Sequence, residues 1–92
     1  MWRIQIDKVA EKFLLNLEQK KQKAILDKLR LYKDALDTNT PVSIDINDIK
    51  KLKGNWDGFY RIRVGDIRVI FSLDYKGQEI KIADMVFRGD AY

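Results

Sequence analysis

Three arginines are concentrated in the stretch Tyr60-Arg61-Ile62-Arg63-Val64-Gly65-Asp66-Ile67-Arg68-Val69-Ile70-Phe71. Gly65-Asp66 is a two-residue turn signal, and glycine supplies the positive φ that tight hairpin turns require. Apolar and polar residues alternate on both sides of it, the period of a half-buried strand. A two-residue turn fixes the register: Val64 faces Ile67, Arg63 faces Arg68, Ile62 faces Val69, Arg61 faces Ile70 and Tyr60 faces Phe71. Successive side chains point to opposite faces. One face then collects Tyr60, Ile62, Val64, Ile67, Val69 and Phe71, which suits burial. The other collects Arg61, Arg63, Arg68, Ile70 and Ser72.

In this register Arg63 and Arg68 stand directly opposite each other, an arrangement that costs a sheet up to about 1 kcal/mol. Neither strand carries an acidic residue to offset it, since Asp66 sits in the turn. A phosphate or carboxylate held between two guanidinium forks would convert the repulsion into a clamp. The same pattern also suits a solvated face on which arginine stems cover apolar surface. The salt dependence of RNA or DNA binding separates the two, because only phosphate neutralisation carries a salt slope. From Lys50 to Arg68 there are six basic residues and two acidic ones, so this window holds the whole formal net charge of +4. A local basic patch on an otherwise balanced chain points to a polyanionic partner. Lys50, Lys51 and Lys53 extend the phosphate-binding candidates; such a run forms a solvated loop or steers an anion toward the hairpin. Trp56 and Phe59 border the patch. Aromatics so placed can stack on exposed bases, although closing the core beside a turn is the stronger expectation for both.

The elements that must position this hairpin follow from the rest of the chain. With 92 residues, 46% hydrophobic and 35% charged, the balance is that of one small soluble globular domain spanning residues 1–92. There is no cysteine and no histidine. Thiolate chemistry is excluded, and the commonest general acid/base and metal ligand is missing, so neither a metal nor another cofactor is expected. No apolar run approaches membrane-spanning length. The first residues alternate rather than form the apolar block of a signal peptide, and the expected location is the cytoplasm.

Trp2, Ile4 and Ile6 alternate with Arg3, Gln5 and Asp7, which predicts a strand. From Lys8 the period changes: Val9, Ala10, Phe13, Leu14 and Leu17 share a helix face, with Asp7 placed to cap it. Ile25, Leu29, Tyr32 and Leu36 form a second stripe. The polar run Glu18 to Lys23 between them holds no glycine or proline, so one long helix is permitted. Two helices packed as a hairpin bury more and are the preferred reading. Asp37 to Asp48 reads as a loop, with a short helical turn possible around Ile46 to Lys50. Phe59–Val64, Ile67–Leu73 and Glu79–Phe87 read as strands. The expected fold class is α+β: a small antiparallel sheet with two N-terminal helices packed on one face, in the order βααβββ.

Leu52-Lys53-Gly54, the twelve residues from Tyr60 to Phe71, and Arg88-Gly89-Asp90-Ala91-Tyr92 together resemble the RelE branch of the RelE/ParE toxin superfamily. The resemblance implies the same small sheet with two N-terminal helices. It implies a toxin of a toxin–antitoxin pair that cuts mRNA in the ribosomal A site without a metal, the ribose 2′-hydroxyl attacking the adjacent phosphate. By the same resemblance Arg61, Arg63, Arg68 and Arg88 would hold the scissile phosphate and stabilise its transition state. Tyr92 would transfer a proton or stack on a base. The chain departs from the pattern at two positions. Phe87 stands where many related ribosome-dependent nucleases have histidine, and Arg61 stands where the type member of the RelE branch has lysine. Arginine effectively cannot lose a proton, which leaves proton transfer to Tyr92, Lys53 or Lys81. The alternatives within the resemblance are a ParE-like inhibitor of DNA gyrase and a non-catalytic homologue that only binds its antitoxin. The implied partners are a cognate antitoxin with an acidic or amphipathic segment, the ribosome and mRNA, and operator DNA only through the antitoxin.

Overall fold

The computed structural model describes residues 1–38 and 49–89. The first strand, β1 (Arg3–Ile6), turns Ile4 and Ile6 toward the core. Asp7 then caps α1 (Lys8–Leu15): its backbone is extended and its carboxylate accepts the N–H of Val9 at 3.4 Å. Ala10 and Leu14 are buried, with Phe13 and Leu17 packed against the same core, a stripe at i, i+3, i+4 and i+7. Val9, expected on this face, is 63% exposed, because the stripe is centred on Ala10 and Leu14 and leaves Val9 beyond its edge.

The helical segment is two helices rather than one long one. α1 ends at Leu15 without a glycine or proline, and a side chain from α2 bonds to the carbonyls at the break. The amide of Gln22 donates to the Leu15 carbonyl at 3.4 Å, an acceptor that the end of a helix leaves without an intrahelical partner, and to the Leu17 carbonyl in the connection at 2.7 Å. The second helix, α2 (Gln19–Thr38), buries Ile25 and Leu29 completely and packs Tyr32 and Leu36 against the same cluster.

Where a helical turn was possible around Ile46–Lys50, the described part is strand: β2 (Ile49–Lys51) runs antiparallel to β3 (Tyr60–Val64), with Ile49 opposite Ile62. This pairing satisfies backbone groups on the edge of β3 and points Ile49 into the core. β4 (Ile67–Asp74) pairs with β3 in the register expected from the two-residue turn, Arg63 opposite Arg68 included. Gly65 carries φ 60 and Asp66 does not have positive φ, the pattern of a type II′ hairpin. β5 (Glu79–Phe87) follows β4.

The five strands lie in the order β1-β5-β4-β3-β2. The sheet is mixed rather than wholly antiparallel, because β1 pairs parallel with β5. The helices carry the chain from one edge to the other, which leaves β1 to close the free side of β5. A bulge interrupts the β4–β5 pair: Ile70 faces Asp84 and Phe71 faces Ile82, so Ala83 is the extra residue. Both helices cover one face of the sheet, the expected α+β arrangement. Ile62, Val69, Phe71, Ile80, Ile82 and Met85 meet Ile25 and Leu29 there. Phe71 sits 5.6 Å from the rings of both Tyr32 and Tyr60. Asp37, at the end of α2, accepts the N–H of Trp2 and the Lys33 ammonium, the latter at 2.8 Å, and so ties α2 to β1.

Candidate functional site

The helix-free face of the sheet is built in rows set by strand register. Lys50, Arg61, Ile70 and Asp84 form one row across β2, β3, β4 and β5. Arg63, Arg68 and Val86 form the next. On the other side of the first row, Ser72, Lys81 and Gln5 lie side by side across β4, β5 and β1, with Phe59 extending the line on the β3 side.

An open cleft of about 410 Å³ lies at the β2–β3 end, lined by Lys50, Lys51, Leu52, Lys53, Arg61 and Arg68. Five of its six lining residues are cations and none is acidic. Asp66, the acid nearest in sequence to the hairpin arginines, is held on the other side by Lys21 of α2 at 3.2 Å. The cleft therefore concentrates positive charge from two sources that the sequence placed apart, the lysine run and the hairpin arginines. Lys50 and Lys51 are strand residues rather than loop residues, which fixes their position against Arg61.

Not every expected residue joins them. Arg63 stands opposite Arg68 but lies outside the cleft lining. Arg88 is exposed at the turn end of the hairpin, where its backbone N–H donates to the Asp66 carbonyl at 2.7 Å. Tyr92 lies outside the described residues. Of the two lysines considered for proton transfer, Lys53 lines the basic cleft. Lys81 does not; it sits in the neighbouring row, 3.9 Å from Asp74.

Two features of this face escaped sequence reasoning. Ile70 points away from the helices yet is fully buried, between Arg61 and Asp84 on the flanking strands. The outer face thus carries its own apolar floor, covered in part as arginine stems cover such surface. Trp56 and Phe59, expected mainly to close the core, are not part of it. They pack on each other edge to face, with ring centroids 5.1 Å apart at 84°, and Phe59 lines a second cleft on the outer face. Phe87 belongs to the helix side, 5.0 Å from the ring of Phe13 and beneath the Lys21 ammonium. A side chain at that position faces α1 and not the basic cleft.

A chain of the archaeal RelE–RelB complex from Pyrococcus horikoshii matches this fold with a TM-score of 0.71 at 35% identity, over 98% of each chain. The chain belongs to the RelE/ParE toxin superfamily. A chain of the RelB–RelE complex from Methanococcus jannaschii is 28% identical with a TM-score of 0.63, over 92% of this chain and 91% of that one. One from the YoeB–YefM complex of Staphylococcus aureus is 25% identical with a TM-score of 0.63, over 91% and 93%. A scan of family models and a search of curated proteins return no match. Within this RelE/ParE member, the superfamily sheet is cationic at its β2–β3 end and mixed in character toward β1.

Proposed function

We propose that this RelE/ParE member is the toxin of a toxin–antitoxin pair and acts as a metal-independent, ribosome-dependent mRNA endonuclease. The observation that carries the reading is the cleft whose lining brings together Lys50, Lys51, Lys53, Arg61 and Arg68 and includes no acidic residue. A phosphodiester in this cleft meets guanidinium forks from adjacent strands, Arg61 on β3 and Arg68 on β4, flanked by the ammonium groups of β2. In the reaction the ribose 2′-oxygen bonds to phosphorus and the bond from phosphorus to the 5′-oxygen breaks. Extra negative charge develops on the phosphoryl oxygens as the two events overlap. Fixed donors aimed at such charge are each worth roughly 2.7–4 kcal/mol. The proton leaving the 2′-hydroxyl goes to a base and one is returned to the 5′-oxygen. Lysine is the one residue type in the lining able to give up a proton, and Lys53 is the candidate, with Tyr92 the further proton-transfer group that the resemblance implies; Arg63 and Arg88 act from the rim.

The similarity to chains of RelE–RelB and YoeB–YefM complexes supports a cognate antitoxin as partner, with an acidic or amphipathic segment that neutralises the basic face. Operator DNA is reached only through that antitoxin. The place of action is the cytoplasm, and no helix among the described residues is long and apolar enough to cross a membrane. The test is a translating extract supplied with the unaltered chain or the Arg61→Gln/Arg68→Gln double variant. Site-specific mRNA cuts by the first and their loss in the second support the reading. Intact mRNA, with DNA damage on induction in cells, replaces it with gyrase inhibition.

A further inference from the structure

The second cleft on the outer face, about 530 Å³ in volume, lies next to the basic one. We propose that this cleft, framed by Phe59, Ser72, Lys81 and Gln5, is a nucleobase subsite. It receives an unpaired base of the RNA whose backbone lies in the basic cleft, and so rests on the function proposed above.

The two clefts differ in chemistry as a phosphate site and a base site should. The first is lined almost wholly by cations. The second offers an aromatic wall, two neutral polar side chains and a single acid–base mixture formed by Asp7, Lys8 and Lys81. Phe59 lies outside the core cluster, so folding gains little from an aromatic ring there. Trp56 braces it edge to face at 5.1 Å, which holds the ring in place without covering the cleft side. Among the described residues neither the Gln5 amide nor the Ser72 hydroxyl is engaged in a hydrogen bond, leaving both able to meet the edge of a base. Asp7 is already engaged as the cap of α1 and would repel a phosphate, which keeps the backbone in the basic cleft. The row of Phe59 and Ser72 is two residues along the strands from that of Arg61 and Ile70, about 7 Å. A base and its own or a neighbouring phosphate can therefore occupy the two rows together.

The test titrates the full chain with a short single-stranded oligouridylate and with an abasic phosphodiester of equal length, at several salt concentrations. Phe59→Leu is expected to weaken oligouridylate binding by roughly fivefold to more than a hundredfold, the range of base–aromatic stacking. It should leave the salt slope and the abasic ligand unchanged, and Phe59→Trp should restore affinity. Equal weakening of both ligands by Phe59→Leu, or no effect on oligouridylate, overturns the subsite while leaving the phosphate site standing. Absence of salt-dependent binding of either ligand by the unaltered chain overturns the phosphate reading, and the subsite with it.

Discussion

Replacing Arg68 with glutamine should move stability and activity in opposite directions. Arg68 is half-buried, directly opposite Arg63, and lines the basic cleft. Opposed like charges on adjacent strands cost roughly 0.2–1 kcal/mol. In a domain of this size 1 kcal/mol is worth about 4–8 °C in melting temperature. Arg68→Gln, which keeps a polar planar end group and removes the charge, should therefore hold the melting temperature or raise it by up to about 8 °C. On the functional side one phosphate contact is lost. The salt slope for single-stranded RNA should fall by about 0.7, the contribution of one neutralised phosphate. If the guanidinium meets the transition state, mRNA cleavage should drop by roughly 10²–10³. The assays are a thermal melt, a binding titration against salt and cut-site mapping in a translating extract. A variant that melts lower than the unaltered chain while cleaving within a few-fold of it would refute the reasoning. Arg68 would then be a covering side chain for Ile70 and its neighbours, and the cleft would owe its charge to folding.

Three further outcomes test the scaffold. Leu29→Ala empties a fully buried position on α2 and should cost about 2–5 kcal/mol, read as a lower urea midpoint at an unchanged slope. The hydrogen bond from Lys33, followed by that from the Trp2 N–H, holds the Asp37 carboxyl below its ordinary value of 3.8. Its contribution is therefore present above that value and lost as pH falls through the depressed folded one. Asp37→Asn should lower the urea midpoint near neutrality, with the gap to the unaltered chain closing in acid. Burial, and then the neighbouring Tyr75 and Tyr60, push the Tyr32 phenol up from 10.0 to about 12. Stability from the neutral phenol is complete below 10.0 and lost as pH rises through about 12. An absorbance titration should show one late-ionising tyrosine, absent in Tyr32→Phe, and that variant should withstand higher pH.

The hairpin register was legible because two local rules converge on it. Gly65-Asp66 leaves room for one two-residue turn, and a one-residue slip would turn every apolar side chain outward. The start of α1 was legible for the same reason, Asp7 being a local cap. What could not be read depended on contacts distant in sequence or on a side chain reaching back. The break between α1 and α2 has no breaker residue and is bridged by the Gln22 amide, which bonds to the Leu17 carbonyl. Ile49–Lys51 becomes a strand by pairing with β3. The second cleft needs β1 beside β5, which brings Gln5 next to Lys81 and Ser72. Turn-flanking aromatics usually close a core, so the sequence points Trp56 and Phe59 inward; it carries no sign that they pair with each other instead.

The bulge at Ala83 connects the scaffold to the site. Core-facing residues of β5 are Ile80, Ile82 and Met85, two apart and then three apart. An unbroken period of two would turn either Ile82 or Met85 out of the core. The extra residue absorbs the mismatch, so both halves of β5 keep their apolar side chains under the helices. On the outer face the same shift pairs Ser72 with Lys81 on one side of the bulge and Ile70 with Asp84 on the other. It falls at the boundary between the cleft that carries the cations and the cleft that carries Phe59. A regular strand would have had to choose between packing and the outward chemistry at one of the two clefts. One inserted residue removes the choice, so the apolar side chains of β5 stay under the helices while the outer face keeps both clefts.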